Sequence, residues 1–171
     1  MQPDGHPIYA SDASDMAALL TRYPRLTEEG LDGTIRMTGW LKTGEAIAQV
    51  NHCIAFLISF TQVKSPNANA GSQDLRLLAE HYGTRDVTRI ANGAMVAAGL
   101  HLHLARRIDE AANTVMFGIS EPERRWVLND SSTARGPSAR KPRHWDLFQE
   151  YRMARGGTAG AGLAEGVDLA G

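Results

Sequence analysis

The hydrophobic period of this chain changes at Gly99, and that change constrains the fold more than any other feature. Before it, Leu75, Leu78, Ala79 and Tyr82 fall at i, i+3, i+4 and i+7, the spacing of one helix face. Val87, Ile90, Ala91, Ala94 and Ala98 continue as a second helical stripe. After it, Leu100-His101-Leu102-His103-Leu104 and Val115-Met116-Phe117-Gly118-Ile119 alternate with period two. Residues 109–113 supply a turn between them. The pattern predicts two helices joined near Gly83, the second over 84–99, and then a β-hairpin with arms 100–108 and 113–119. A helix continuing to Arg107 is the competing reading. The fold class is therefore α+β, mainly helical with a small β-hairpin.

Other helices follow from caps and spacing. Ser11 or Ser14 is placed to cap a short helix carrying Met16, Leu19, Leu20 and Tyr23, which Pro24 ends. Thr43 caps a helix with Ile47, Val50, Ile54 and Leu57 on one face, widened by Cys53, Phe56 and Phe60. That breadth predicts the central buried helix. Ser72 is expected to cap the helix that ends at Gly83, where a glycine in the left-handed region commonly closes a helix. Ser120-Glu121-Pro122-Glu123 has the form of a capping box for a helix to Leu128. Thr34 to Thr38 alternates as a short strand.

The chain has 171 residues, enough for one domain with a real core. Residues 1–128 are read as that compact domain. Residues 129–171 are read as an Arg/Pro-rich linker, a short helix around Trp145, Phe148 and Tyr151, and a Gly/Ala-rich flexible tail. With a single cysteine no intrachain disulfide forms. The N-terminus lacks a basic-then-apolar leader pattern, and the most apolar run, 46–60, is too short for a bilayer. The expectation is a cytoplasmic protein without a membrane segment.

Residues 75–120 as a unit resemble a winged helix-turn-helix, on Ala79 in the first helix, Gly83 at the turn and Thr88-Arg89-Ile90 in the second. The resemblance covers about a quarter of the chain. In that family the second helix lies in the DNA major groove. It implies that Arg85, Thr88, Arg89 and Asn92 face nucleic acid, Arg and Asn being suited to bidentate base contacts. The hairpin would be the wing. The spacing departs from the family's, since Val87 and Ile90 arrive about two residues early. An αα corner without a binding role stands beside the DNA-binding reading.

Net charge is −1, but it is unevenly spread. Between Arg124 and Arg155 eight cations face three carboxylates. Arg124, Arg125, Arg140, Lys141 and Arg143, with Trp126 and Trp145 nearby, suit phosphates and bases, and equally an anionic protein surface.

Catalytic and metal signals are thin. His101 and His103 share a face if they lie on a strand, but two ligands make no stable site. Residues 38–44 hold two glycines and a lysine without the full phosphate-loop pattern. Cys53 on an apolar stripe is expected to be a buried, inert thiol. No catalytic residue, metal or cofactor is expected. The leading expectation is a nucleic-acid-binding regulatory or accessory protein. The alternatives are a non-enzymatic protein-binding module, such as an inhibitor, adaptor or assembly component of a phage or mobile element, and an enzyme with an unfamiliar site.

Overall fold

The computed structural model describes residues 11–31, 38–129 and 136–158. They form six α-helices and two small antiparallel hairpins, an α+β arrangement. The order is α1 (Ala13–Arg22), β1 (Leu26–Thr27), β2 (Gly30–Leu31), a 3-10 turn (Thr38–Lys42), α2 (Gly44–Ile58), α3 (Ser72–His81), α4 (Asn92–His101), β3 (Arg106–Asp109), β4 (Thr114–Phe117), α5 (Glu121–Leu128) and α6 (Trp145–Ala154). Among the described residues no helix is long and apolar enough to cross a membrane. Of the strand expected at 34–38, residues 34–37 lie outside the described residues, and Thr38 opens the 3-10 turn.

The two central helices are α2 and α4. Thr43 Oγ1 accepts the Ala46 N–H at 3.3 Å, the cap that the sequence predicts for α2. Val50, Cys53, Phe56 and Leu57 are all fully buried on α2. Helix α4 has nine of its ten residues buried, so it has no polar face. Small residues let it pack this closely. At Gly93 a β-carbon would collide with the Thr27 carbonyl oxygen, so only glycine fits where α4 meets the first hairpin.

Several local expectations are corrected by what the side chains do instead. Asp12, not Ser11 or Ser14, caps α1. Its carboxylate accepts from Asp15 N at 2.9 Å and Asp15 accepts from Asp12 N at 3.0 Å. Ser11 is taken by Asn51, to whose Oδ1 its hydroxyl donates at 2.8 Å. Ser72 lies inside α3 behind Gly71, and its Oγ accepts the Val115 N–H at 3.1 Å, tying the helix to β4. Gly83 is not in the left-handed region; a side chain there would meet the Val87 carbonyl oxygen at 2.5 Å. The capping box at Ser120 does not form. Glu123 turns away to accept from Thr61 N at 2.6 Å and Thr61 Oγ1 at 2.8 Å.

The largest departure is the second helix of the expected pair. It starts at Asn92 rather than near Thr84. Three N–H groups of residues 84–91 are held by partners outside the segment, and those of Thr84 and Val87 bond to each other's residue in a local turn. Ile90 N donates to Glu80 Oε2 at 2.9 Å, Ala91 N to Gln49 Oε1 at 2.8 Å, and Arg85 N to the Arg155 carbonyl at 3.1 Å. Those bonds satisfy the backbone without a helix. At the other end α4 passes Gly99 and reaches His101. His103 then takes a positive φ of 54° and stops it. The Leu–His alternation at 100–104 is thus a helix end, and the hairpin arms shorten to 106–109 and 114–117.

The core extends past the boundary expected at 128. Helix α6 buries Trp145, Phe148 and Arg152 against it. Trp145 lies within 5.1–6.5 Å of the rings of Phe56, Phe60, Tyr82, Trp126 and Phe148, mostly edge to face.

Candidate binding surface

The residues expected to face nucleic acid do not share a helix. Arg85, Thr88 and Arg89 are exposed on the loop before α4. Asn92 is buried, and its Nδ2 donates to the carbonyls of Glu29 at 2.9 Å and Asn113 at 3.1 Å. It staples α4 to both hairpins. The helix-turn-helix expectation therefore fails at its docking helix, because α4 is enclosed on every side.

Four of the five cations expected from the basic segment are neutralised by the chain itself. Arg124 holds Glu121 through two bonds, 2.8 and 2.9 Å, and Arg125 stands 3.7 Å from the same carboxylate. That Arg124 fork holds the Glu121 carboxyl below its ordinary range. Arg140 meets Glu123 at 3.1 Å, and Lys141 meets Asp146 at 2.7 Å. Arg85, Arg89 and Arg143 are exposed and carry no ion pair among the described residues. Arg155 lies 4.0 Å over the Tyr151 ring.

A polar cluster that sequence reasoning missed lies beneath α6. His52 is fully buried, with Nε2 2.9 Å from the Ala79 carbonyl, so that nitrogen carries the proton. Burial, reinforced by Arg152, pushes its pKa down to about 4, against the upward pull of the Ala79 bond. Arg152 is 1% exposed and has no carboxylate partner among the described residues. Its guanidinium donates to the carbonyls of Tyr82 at 2.7 Å and Thr158 at 3.0 Å and to Gln149 Oε1 at 2.6 Å. It also lies 5.2 Å over the Tyr82 ring. A cation on the last carbonyls of α3 suits the negative end of that helix. Burial lowers the Arg152 pKa from its ordinary value. The signal was present, since Trp145, Phe148 and Arg152 fall at i, i+3 and i+7, which marks Arg152 as part of the buried stripe. His52 and Arg152 are both buried, while Gln149 and Tyr151 beside them are half-buried. Among the described residues no group of three or more His, Cys, Asp or Glu side chains comes together as a metal set.

One open feature of the described residues is a groove between α3 and α5 of about 440 Å³. Leu77 and Leu78 form one wall and Arg124 and Leu128 the other, with Ala68, Asn69 and Asp74 at the end. Leu77 is 53% exposed and Leu128 50% exposed, which makes them two of the most exposed large apolar side chains of the described residues. Asp74 is exposed, while Arg124 is already committed to Glu121. The groove thus offers three partly exposed leucines and, in Asp74, a carboxylate with no ion pair among the described residues. No protein-family model matches this sequence, and neither a curated protein nor a solved structure is measurably similar to it.

Proposed function

We propose that this chain is a protein-binding module whose docking surface is the groove between α3 and α5. The observation that supports it is the pair Leu77 and Leu128, half-exposed on facing walls beside the free Asp74 carboxylate. Completing the burial of a leucine that is already half covered is worth about 1 kcal/mol, so two such anchors suit a modest, specific contact. The occupant that fits is an amphipathic helix of a partner protein, with apolar anchors one turn apart and a basic residue to meet Asp74. The rival reading, nucleic acid, keeps only Arg85, Arg89 and Arg143 as unpaired exposed cations among its expected contacts.

The test is photocrosslinking in the native host, with the probe placed at Leu77, at Leu128 and, as a control, at the exposed Leu147 of α6. A discrete protein adduct at both groove positions, absent at the control and lost when Arg124 and Asp74 are replaced, supports the reading. Adducts that do not distinguish groove from control overturn it. Salt-dependent binding to DNA or RNA that disappears on replacing Arg85, Arg89 and Arg143 by Ala puts nucleic acid in its place.

A further inference from the structure

Strand β3 is exposed at all four positions and pairs on one side only, with β4. Which of its backbone groups face outward follows from the ladder. Gly118 N donates to the Ala105 carbonyl at 2.7 Å, while Phe117 N donates away from β3, to the Ala70 carbonyl at 3.0 Å. Antiparallel ladders alternate, so Ala105, Arg107 and Asp109 turn their N–H and C=O groups toward β4. Arg106 and Ile108 turn theirs outward, to an edge that no other described strand covers.

The side chains along that edge are ordered by sign: Arg106, Arg107, Ile108, Asp109, and then Glu110. Scattered charges on an edge strand block unwanted pairing. Two cations followed by two carboxylates do something else, because the series is its own complement when read backwards. We propose that β3 pairs antiparallel with β3 of a second copy, about a two-fold axis at Ile108.

Charge selects that register. With the axis at Ile108, Arg107 stands opposite Asp109 of the other copy and Arg106 opposite Glu110, each pair on one face of the joined sheet. An axis at Arg107 or at Arg106 sets an arginine against itself. An axis between residues puts inward-facing groups against outward-facing ones and makes no ladder. Ile108, 45% exposed, meets its own copy at the centre. The existing contacts tolerate this. Arg106 donates to the Tyr23 hydroxyl at 2.7 Å, and Glu110 stands 3.7 Å from Arg25 in a solvent-exposed pair that contributes little. The contact is isologous, so it closes at two copies.

Sedimentation velocity over a range of concentrations tests it. The wild-type chain is expected to dimerise reversibly and to dissociate as salt is added. Proline at Ile108 removes an outward N–H that the hairpin does not use, so the fold persists and the dimer is lost. R107E and D109R each set like charges opposite one another and weaken self-association roughly tenfold or more. Mixed together they restore opposite charges and form a heterodimer. D109R also loses the bond from Ala112 N, so its fold is checked by circular dichroism; if it fails, I108P and R107E decide. A wild-type chain that stays monomeric, an I108P chain that still dimerises, or two folded charge variants that ignore each other overturns the proposal.

Discussion

Acidification should destabilise this protein through His52 in a window set by its burial. In the unfolded chain the imidazole titrates at 6.5, and in the folded state its pKa is lowered to about 4. Between those values the unfolded state binds the proton and the folded state does not. Stability is therefore fully present above the unfolded pKa and is lost as the pH falls toward the folded one. One pH unit of difference is worth about 1.36 kcal/mol, so the loss is about 1.4 kcal/mol near pH 5.5 and about 2.5 kcal/mol near pH 4.5. Other groups respond to acid as well, so the comparison must be with a chain that lacks only the imidazole. His52→Gln keeps a donor for the Ala79 carbonyl and removes the titration. Urea unfolding of both chains at matched pH gives the difference. The stability gap between wild type and variant should move in the variant's favour by about 2 to 3 kcal/mol from neutral pH to about pH 4.5. A gap that is constant with pH refutes the reasoning, because it means His52 is protonated as readily folded as unfolded.

Two further outcomes follow from the same region. Arg152→Met should cost roughly 2 kcal/mol, read by urea unfolding, because it removes the buried bond that the guanidinium donates to the Tyr82 carbonyl. Arg152→Lys should recover only part, since an ammonium cannot span the same fork of partners. Cys53 is fully buried, and burial alone pushes its thiol pKa far up, so a thiol reagent should label the native protein no faster than it unfolds. Rapid native labelling returns a reactive thiol to consideration.

Elements whose determinants lie within a few residues were legible in the sequence. The Thr43 cap and the stripe Val50, Ile54 and Leu57 on α2 are local facts, and they hold. A hairpin does follow the second helix, but it begins at Arg106 and not at Gly99, where the period changes, because α4 continues to His101. Residues 84–91 show why the start of α4 was not legible. Thr84 Oγ1 does accept the Val87 N–H at 3.2 Å, the bond of a true helix cap. What decides against a helix there is Gln49, 42 residues earlier, and Glu80 on the preceding helix, each taking one of the next N–H groups. The same holds at Ser120, whose capping-box partner is taken by Thr61, 62 residues away. By composition Arg152 is one more cation of the 124–155 stretch, because composition registers charge and not the stripe on which the charge sits.

These displacements matter for function because they change which helix faces outward. A helix read from 84 carries Arg85, Thr88, Arg89 and Asn92 opposite its apolar stripe, and so has a face to offer a nucleic-acid groove. The helix that forms, from Asn92, has no such face, and Asn92 itself is spent on the carbonyls of Glu29 and Asn113. The cations thought to supply phosphate contacts are held mainly by Glu121, Glu123 and Asp146. Among the outward features of the described elements are the apolar pair on α3 and α5 and the sign-ordered edge of β3. Neither needs a ligand to be preformed. A groove with half-buried leucines and an edge that no other described strand covers would both gain from contact with a second protein surface, which is why the proposals made above rest on them.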